Sequence, residues 1–167
     1  SHNVIHRDLK PANILIDEHF FPKIADFGLS KAILGKLENH SLNRMSEPGV
    51  KGTPLYISPE GLGQFIYSKP GDVFAFSIVL YELFTLQKID EYHDFKDLFS
   101  SVVIKKQRPE LTDDIPKPFQ VLITKCWDQN PEKRPTFDEI VSDLKNNRDY
   151  LSELINEKDY FNYIDLI

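Results

Sequence analysis

Apolar and polar positions follow two different periods along this chain, and the change of period marks its organisation. Ile14, Leu15 and Ile16 form a short apolar run, then come Asp17, Glu18 and His19, then Lys23, Ile24 and Ala25. Two such runs around a polar turn predict a strand over 14–16 and a second over 23–25 that folds back on it. Residues 72–86 (DVFAFSIVLYELFTL) are apolar on nearly every face. A helix of that length without a polar stripe is buried all round, at the centre of a domain. Residues 94–103 predict a short amphipathic helix, and 108–118 a loop punctuated by proline. Phe119, Leu122, Ile123, Cys126 and Trp127 recur at helical spacing over 119–128. Thr136, with Glu139 three residues on, has the form of a capping box opening a helix to about residue 147. Beyond it Tyr150, Leu151, Leu154 and Ile155 return at helical spacing, while the aromatic and acidic end fits either a cover for the same body or the start of another. The pattern predicts a mainly α fold with a small β element.

Composition adds bounds rather than chemistry. A length of 167 residues with 41% hydrophobic and 28% charged content describes one soluble globular domain with a real core. A net charge of −6, without a Lys/Arg-rich run, argues against nucleic acid as a partner. The one cysteine, Cys126, excludes an internal disulfide and suits a reducing, cytoplasmic setting; within an apolar helix it is expected in the core. The longest apolar run, 73–80, is too short to span a bilayer, and no signal peptide or internal repeat is visible.

The candidate chemistry lies near the amino end. His6-Arg7-Asp8-Leu9-Lys10-Pro11-Ala12-Asn13 is followed, thirteen residues after Asn13, by Asp26-Phe27-Gly28. Asp and Asn form turns by themselves, so residue type alone would leave Asp8 and Asn13 as turn-formers. Their arrangement suggests more. Asn13 offers an amide oxygen and Asp26 a carboxylate, the hard-oxygen ligation that Mg²⁺ accepts alongside water and nucleotide phosphates. The return of 14–16 on 23–25 would bring these two side by side. Asp8 could orient an acceptor hydroxyl and take its proton, and Lys10 would set a cation beside a transferring phosphoryl group.

These strings resemble the catalytic loop and metal-binding corner of eukaryotic protein kinases. The resemblance covers residues 1–147 and is specifically to the C-terminal lobe, in the tyrosine-kinase-like group with serine/threonine specificity. It implies a helical bundle around a buried central helix, with short β-hairpins at the catalytic loop; residues 148–167 would be a partly helical extension. It implies Asp8 as catalytic base and Lys10 on the γ-phosphate of ATP. Asn13 and Asp26 would hold Mg²⁺, with Leu15 against the nucleotide. His6 and Phe27 would be packed structural residues. Lys10 in its Leu-Lys-Pro context resembles serine/threonine rather than tyrosine kinases.

Further motifs extend the likeness. Residues 26–60 resemble an activation segment ending in Gly52-Thr53-Pro54-Leu55-Tyr56-Ile57-Ser58-Pro59-Glu60. Thr53 would tie the substrate platform to Asp8 and Lys10. Arg7 resembles the arginine that pairs with a loop phosphate in many relatives. The position four before Thr53, often Thr, is Gly49; Ser41 and Ser46 are alternative phosphosites, and Glu47 could supply a fixed charge. Asp72 would anchor the backbone of the catalytic loop. Arg134, in Asn130-Pro131-Glu132-Lys133-Arg134-Pro135-Thr136-Phe137, would pair with Glu60. Phe74, Ala75 and Ser77 stand where the family usually has Trp, Ser and Gly, a change of packing rather than of chemistry.

A working kinase also needs a glycine-rich loop over the ATP phosphates, a strand lysine and a helix glutamate. None is visible; Gly61-Leu62-Gly63-Gln64-Phe65-Ile66 lacks a third glycine and follows the Pro-Glu motif instead of opening a strand. The chain is therefore expected to be a fragment whose partner is the N-lobe of the same polypeptide, inactive alone, with an apolar patch left along its central helix. The parent is expected to be a protein kinase acting on a protein substrate. A non-catalytic, pseudokinase-like scaffold is the alternative, disfavoured because Asp8, Lys10, Asn13 and Asp26 are all present.

Overall fold

The computed structural model of the protein describes residues 4–32, 44–46, 48–89, 92–151 and 156–164. In chain order these form β1 (Val4–Ile5), β2 (Ile14–Ile16), β3 (Pro22–Ile24), β4 (Lys31–Ala32), β5 (Arg44–Ser46) and α1 (Pro59–Gln64). There follow β6 (Ile66–Ser68), α2 (Lys69–Thr85), α3 (Phe95–Phe99), α4 (Lys117–Cys126), α5 (Phe137–Asn146) and α6 (Glu157–Ile164). The strands pair only in antiparallel twos: β1 with β4, β2 with β3, and β5 with β6. The body is thus mainly helical with a small β element, as the pattern predicts.

Helix α2 organises the core. It starts at Lys69, three residues before the 72–86 predicted, because Ser68 caps it by accepting from the Gly71 amide. Pro70 fits within the first turn, where a missing N–H costs no helical hydrogen bond. Val73, Phe74, Ile78, Leu80 and Tyr81 of α2 are buried with Leu98, Leu122, Ile123, Cys126, Trp127 and Ile140. Each large apolar side chain so buried contributes roughly 1.5–3 kcal/mol before entropy is counted. Ser77 is wholly buried, and its hydroxyl donates to the Phe74 carbonyl at 2.6 Å. Burial pushes the Cys126 thiol up to about 12, which suits its expected place in the core.

Exposed large apolar residues are not concentrated along the central helix. On α2 only Leu83 is an exposed large apolar residue, with Leu86 just beyond the helix; Leu15, Ile16, Phe20 and Ile24 are exposed on the β2–β3 return. Among the described residues no helix is long and apolar enough to cross a membrane.

The short helix predicted at 94–103 is α3, capped by Asp94 and prolonged by a wider turn over Ser100–Ile104. Arg108, which the pattern leaves in a loop, locks that turn in place. Its guanidinium donates to the carbonyls of Val102, Gln107 and Trp127 and to Gln129 Oε1. It also lies 5.0 Å from the centre of the Phe74 ring, with Arg134 5.2 Å from the same ring. Burial, aided by the Arg134 charge, pulls Arg108 down to about 10, so it stays a cation at neutral pH.

Helix α5 carries both halves of the capping box predicted at Thr136 and Glu139. The segment after it returns to the same body. The Tyr150 hydroxyl donates to Asp143 Oδ2 at 2.6 Å, its ring meets Phe119 edge-on at 4.9 Å, and the Tyr160 hydroxyl donates to the Leu144 carbonyl at 2.5 Å. Leu154 and Ile155 lie outside the described residues.

Candidate active site

Residues 6–13 hang between β1 and β2, and their backbone is fixed from below by the first turn of α2. Asp72 Oδ2 accepts from the His6 amide at 2.7 Å and Oδ1 from the Arg7 amide at 2.9 Å. Burial pushes the Asp72 carboxyl up, although both amide bonds favour its ionised form. Arg7 takes a left-handed backbone, φ 70°, which a non-glycine residue adopts only when its surroundings enforce it. The two amide bonds, with the Arg7 Nε donating to the Leu29 carbonyl, supply that enforcement. His6 is buried; its Nε2 lies 3.1 Å from the Ala25 carbonyl and therefore carries the hydrogen. Its ring meets Phe27 edge-on at 5.2 Å. Phe27 itself is 58% exposed, so it is packed on one side only.

Asp8 stands at the centre of four donors. Its Oδ1 accepts from the amide and from the hydroxyl of Thr53, both at 2.9 Å. Its Oδ2 meets Lys10 Nζ at 2.8 Å and Asn13 Nδ2 at 3.2 Å. Lys10 Nζ also donates to Thr53 Oγ1 at 2.7 Å, closing a ring of three side chains. Asn13 Nδ2 donates a second time, to the Asp8 carbonyl at 2.8 Å. Both bonds use the amide nitrogen, so the oxygen is the end suited to a cation. Burial alone would raise the Asp8 pKa, but bonds from Lys10 and Thr53 outweigh it and hold the carboxyl below the ordinary range.

Thr53 reaches this ring because the chain before it passes hard against the loop. Gly52 has φ 96°, and a Cβ there would lie 2.4 Å from the Arg7 carbonyl oxygen. Only glycine meets both conditions.

A depressed carboxyl stabilises the fold while it is ionised. The Asp8 contribution is therefore complete above the ordinary value of 3.8 and lost as pH falls through its lower folded value. Thr53→Ala removes the hydroxyl bond but keeps the amide, and is expected to raise the Asp8 pKa and shift that acid loss to higher pH. A carboxyl-carbon NMR titration measures it; an unchanged Asp8 titration would show that Thr53 does not hold the group down.

The β2–β3 return does what its pattern predicts, with β3 one residue earlier than expected: Ile14 pairs with Ile24, and the Ala25 amide donates to the Asn13 carbonyl at 2.8 Å. Asp26 thus begins one residue past the backbone that holds Asn13. It is exposed, left-handed at φ 58°, and accepts from the Gly28 amide at 3.2 Å. Among the described residues no three His, Cys, Asp or Glu side chains cluster as a metal cage. An amide oxygen and one carboxylate fit Mg²⁺, which takes its other ligands from phosphates and water. Leu15, opposite Lys23 in the return, is 56% exposed.

The remaining expected residues fall as follows. Glu60 and Arg134 form a two-pronged pair, Nη1 to Oε1 and Nη2 to Oε2, both at 2.8 Å. Ser41 and Glu47 lie outside the described residues, and Ser46 belongs to β5, whose backbone alone is described. Glu82 and Tyr67, which the motifs did not single out, also make bonds around the site. Tyr56 donates to Glu82 Oε2 at 2.8 Å, while Glu82 Oε1 accepts from the Ile89 amide at 3.2 Å. Burial and the neighbouring Glu82 carboxylate push the Tyr56 phenol up. The available signal was a carboxylate inside the otherwise apolar run of 72–86. The second is Tyr67, whose hydroxyl accepts from the Lys51 amide at 2.7 Å.

Comparison with known proteins places the chain in a family. Residues 1–144 match the family model described as protein tyrosine and serine/threonine kinase. The dual specificity protein kinase shkA of Dictyostelium discoideum is 42% identical over 142 residues, 84% of this chain and 26% of the relative. A probable serine/threonine-protein kinase of the same organism, drkC, is 41% identical over 144 residues, 85% of this chain and 18% of the relative. A putative serine/threonine-protein kinase/receptor of Acanthamoeba polyphaga mimivirus, R831, is 38% identical over 141 residues, 84% of this chain but 8% of its own length. The chain thus spans about a quarter or less of these relatives. With the match running through nearly all its residues, this chain belongs to the protein tyrosine and serine/threonine kinase family.

Proposed function

We propose that these residues are the C-terminal lobe of a protein kinase of the tyrosine-kinase-like group, which transfers phosphate from Mg-ATP to serine or threonine of a protein. The observation that carries it is the Asp8 carboxylate, held ionised and aimed by Thr53, Lys10 and Asn13. In this reading the lobe is residues 1–147, and 148–167 are an extension of it. Asp8 aligns the acceptor hydroxyl and takes its proton as oxygen bonds to the γ-phosphorus. The bond from that phosphorus to the ADP oxygen breaks in the same displacement. Lys10 stabilises charge on the transferring phosphoryl oxygens. Asn13 and Asp26 would hold Mg²⁺, which when bound neutralises the phosphate charge. Leu15 offers an apolar surface to the nucleotide base.

Serine/threonine preference rests on Lys10 in its Leu-Lys-Pro context and on the drkC name; the dual specificity name of shkA favours a broader acceptor range. Peptides with Ser, Thr or Tyr acceptors, offered to the full-length polypeptide with Mg-ATP, decide between them. Failure on all three would favour the scaffold reading instead.

The relatives are several times longer than this chain. The upper wall of the nucleotide site would accordingly come from another part of the polypeptide. The 167 residues alone are expected to bind Mg-ATP too weakly for calorimetry and to show no phosphotransfer. A saturable calorimetric signal would contradict this.

A further inference from the structure

The activation segment must be held so that Thr53 meets Asp8 and Lys10, and the residue that does this comes from outside the family motifs already described. Tyr67 is buried at 5% exposure, in the strand β6 that follows α1. Its hydroxyl takes the Lys51 amide at 2.7 Å and donates to the Gly49 carbonyl at 3.2 Å. Those two backbone groups belong to the turn directly before Gly52 and Thr53. The Tyr67 ring also lies 5.8 Å from the Arg7 guanidinium, and the two residues line one small cavity with Asp72. In the backbone ladder Tyr67 stands opposite Met45, so the same strand also pairs with the stretch 44–46.

We propose that Tyr67 is the positioning residue of this site: one phenol clamps the 49–51 turn while its ring bears on Arg7, fixing Thr53 against Asp8. The proposal rests on the kinase reading for its catalytic consequence, but the clamp itself stands on geometry alone. Tyr67 acts at a distance from the chemistry. Its hydroxyl governs where residues 52 and 53 sit, and Gly52, pressed on the Arg7 carbonyl, allows little slack. Without the phenol oxygen, the Lys51 amide and Gly49 carbonyl lose their shared partner, and Thr53 leaves Asp8 more often.

Tyr67→Phe tests this in the full-length polypeptide, since it keeps the ring, the core packing and the Arg7 contact. Hydrogen exchange by mass spectrometry is expected to quicken about three- to tenfold in peptides covering 48–55, the scale of one or two lost hydrogen bonds. Peptides covering α4 should exchange as before. Phosphotransfer kcat should fall by a similar factor, with KM for ATP within about twofold. Unchanged exchange over 48–55 overturns the clamp, and so does exchange that quickens equally in α4, which would mark a general loss of packing. Local loosening with unchanged kcat in an active polypeptide overturns the positioning role. Local loosening in a polypeptide whose wild type transfers no phosphate leaves the clamp standing and defeats the kinase reading instead.

Discussion

Asp8→Asn in the full-length polypeptide is expected to lower phosphotransfer turnover by roughly 10²–10⁴-fold, the range that a general base contributes. The geometry says why the loss should be large. Four donors converge on the carboxylate: the Thr53 amide and hydroxyl on Oδ1, and Lys10 and Asn13 on Oδ2. An asparagine there has one acceptor oxygen and one NH₂ group. Whichever way it is turned, the NH₂ faces a group that can only donate, the Thr53 amide on one side or the Lys10 ammonium on the other. The substitution thus removes the proton acceptor and loosens the ring that aims it. Turnover is measured with a protein or peptide acceptor, and nucleotide affinity is checked separately. Unchanged turnover with intact folding would remove Asp8 from the proposed role. Because Asp8 is depressed below the ordinary carboxyl range, its protonation should not limit the wild type near neutral pH.

Arg134→Met is expected to destabilise the fold by about 3–5 kcal/mol, the usual cost of leaving one partner of a buried ion pair unpaired. The Arg134 side chain is fully buried, and beyond Glu60 it donates to the carbonyls of Pro70 and Asp128 at 2.9 Å each. It therefore joins α1, the start of α2 and the turn after α4. Removing it strands the Glu60 carboxylate and takes one donor each from the Pro70 and Asp128 carbonyls. The paired variant Arg134→Met/Glu60→Leu should cost less than the sum of the two single changes, since it removes the orphaned charge as well. It should not recover the wild-type value, because the two carbonyls stay without Arg134. Urea unfolding with all four chains of the cycle measures both effects. Strict additivity would mean that the pair does not couple, and a single-variant cost within about 0.5 kcal/mol would place it among ordinary surface changes.

The parts of this protein written in short-range pattern were legible in the sequence. The capping box of Thr136 and Glu139 depends on residues three apart, and it forms as its spacing predicts. The run 72–86 lacks a polar stripe, and it becomes the buried helix at the centre. The return of β2 on β3 needs only a polar turn between apolar runs. Bonds of Asp72 to the loop backbone, of Thr53 to Asp8, and of Arg134 to Glu60 span 45 to 74 residues. No local period encodes those; they were expected because the motifs resemble a known family.

Tertiary structure alone decided the rest. In sequence Tyr67 belongs to no predicted element, Glu82 is a charge within an apolar helix and Arg108 a loop cation. Each becomes a support only because folding sets it beside backbone groups 6 to 19 residues away in the chain. A buried amide or carbonyl must find a partner, and which side chain supplies it depends on packing in three dimensions. The sequence by itself determined which residues want to be inside and which chemistry is on offer. Only the fold decided what each polar group meets there, because desolvation makes a distant partner in the chain as necessary as a near one.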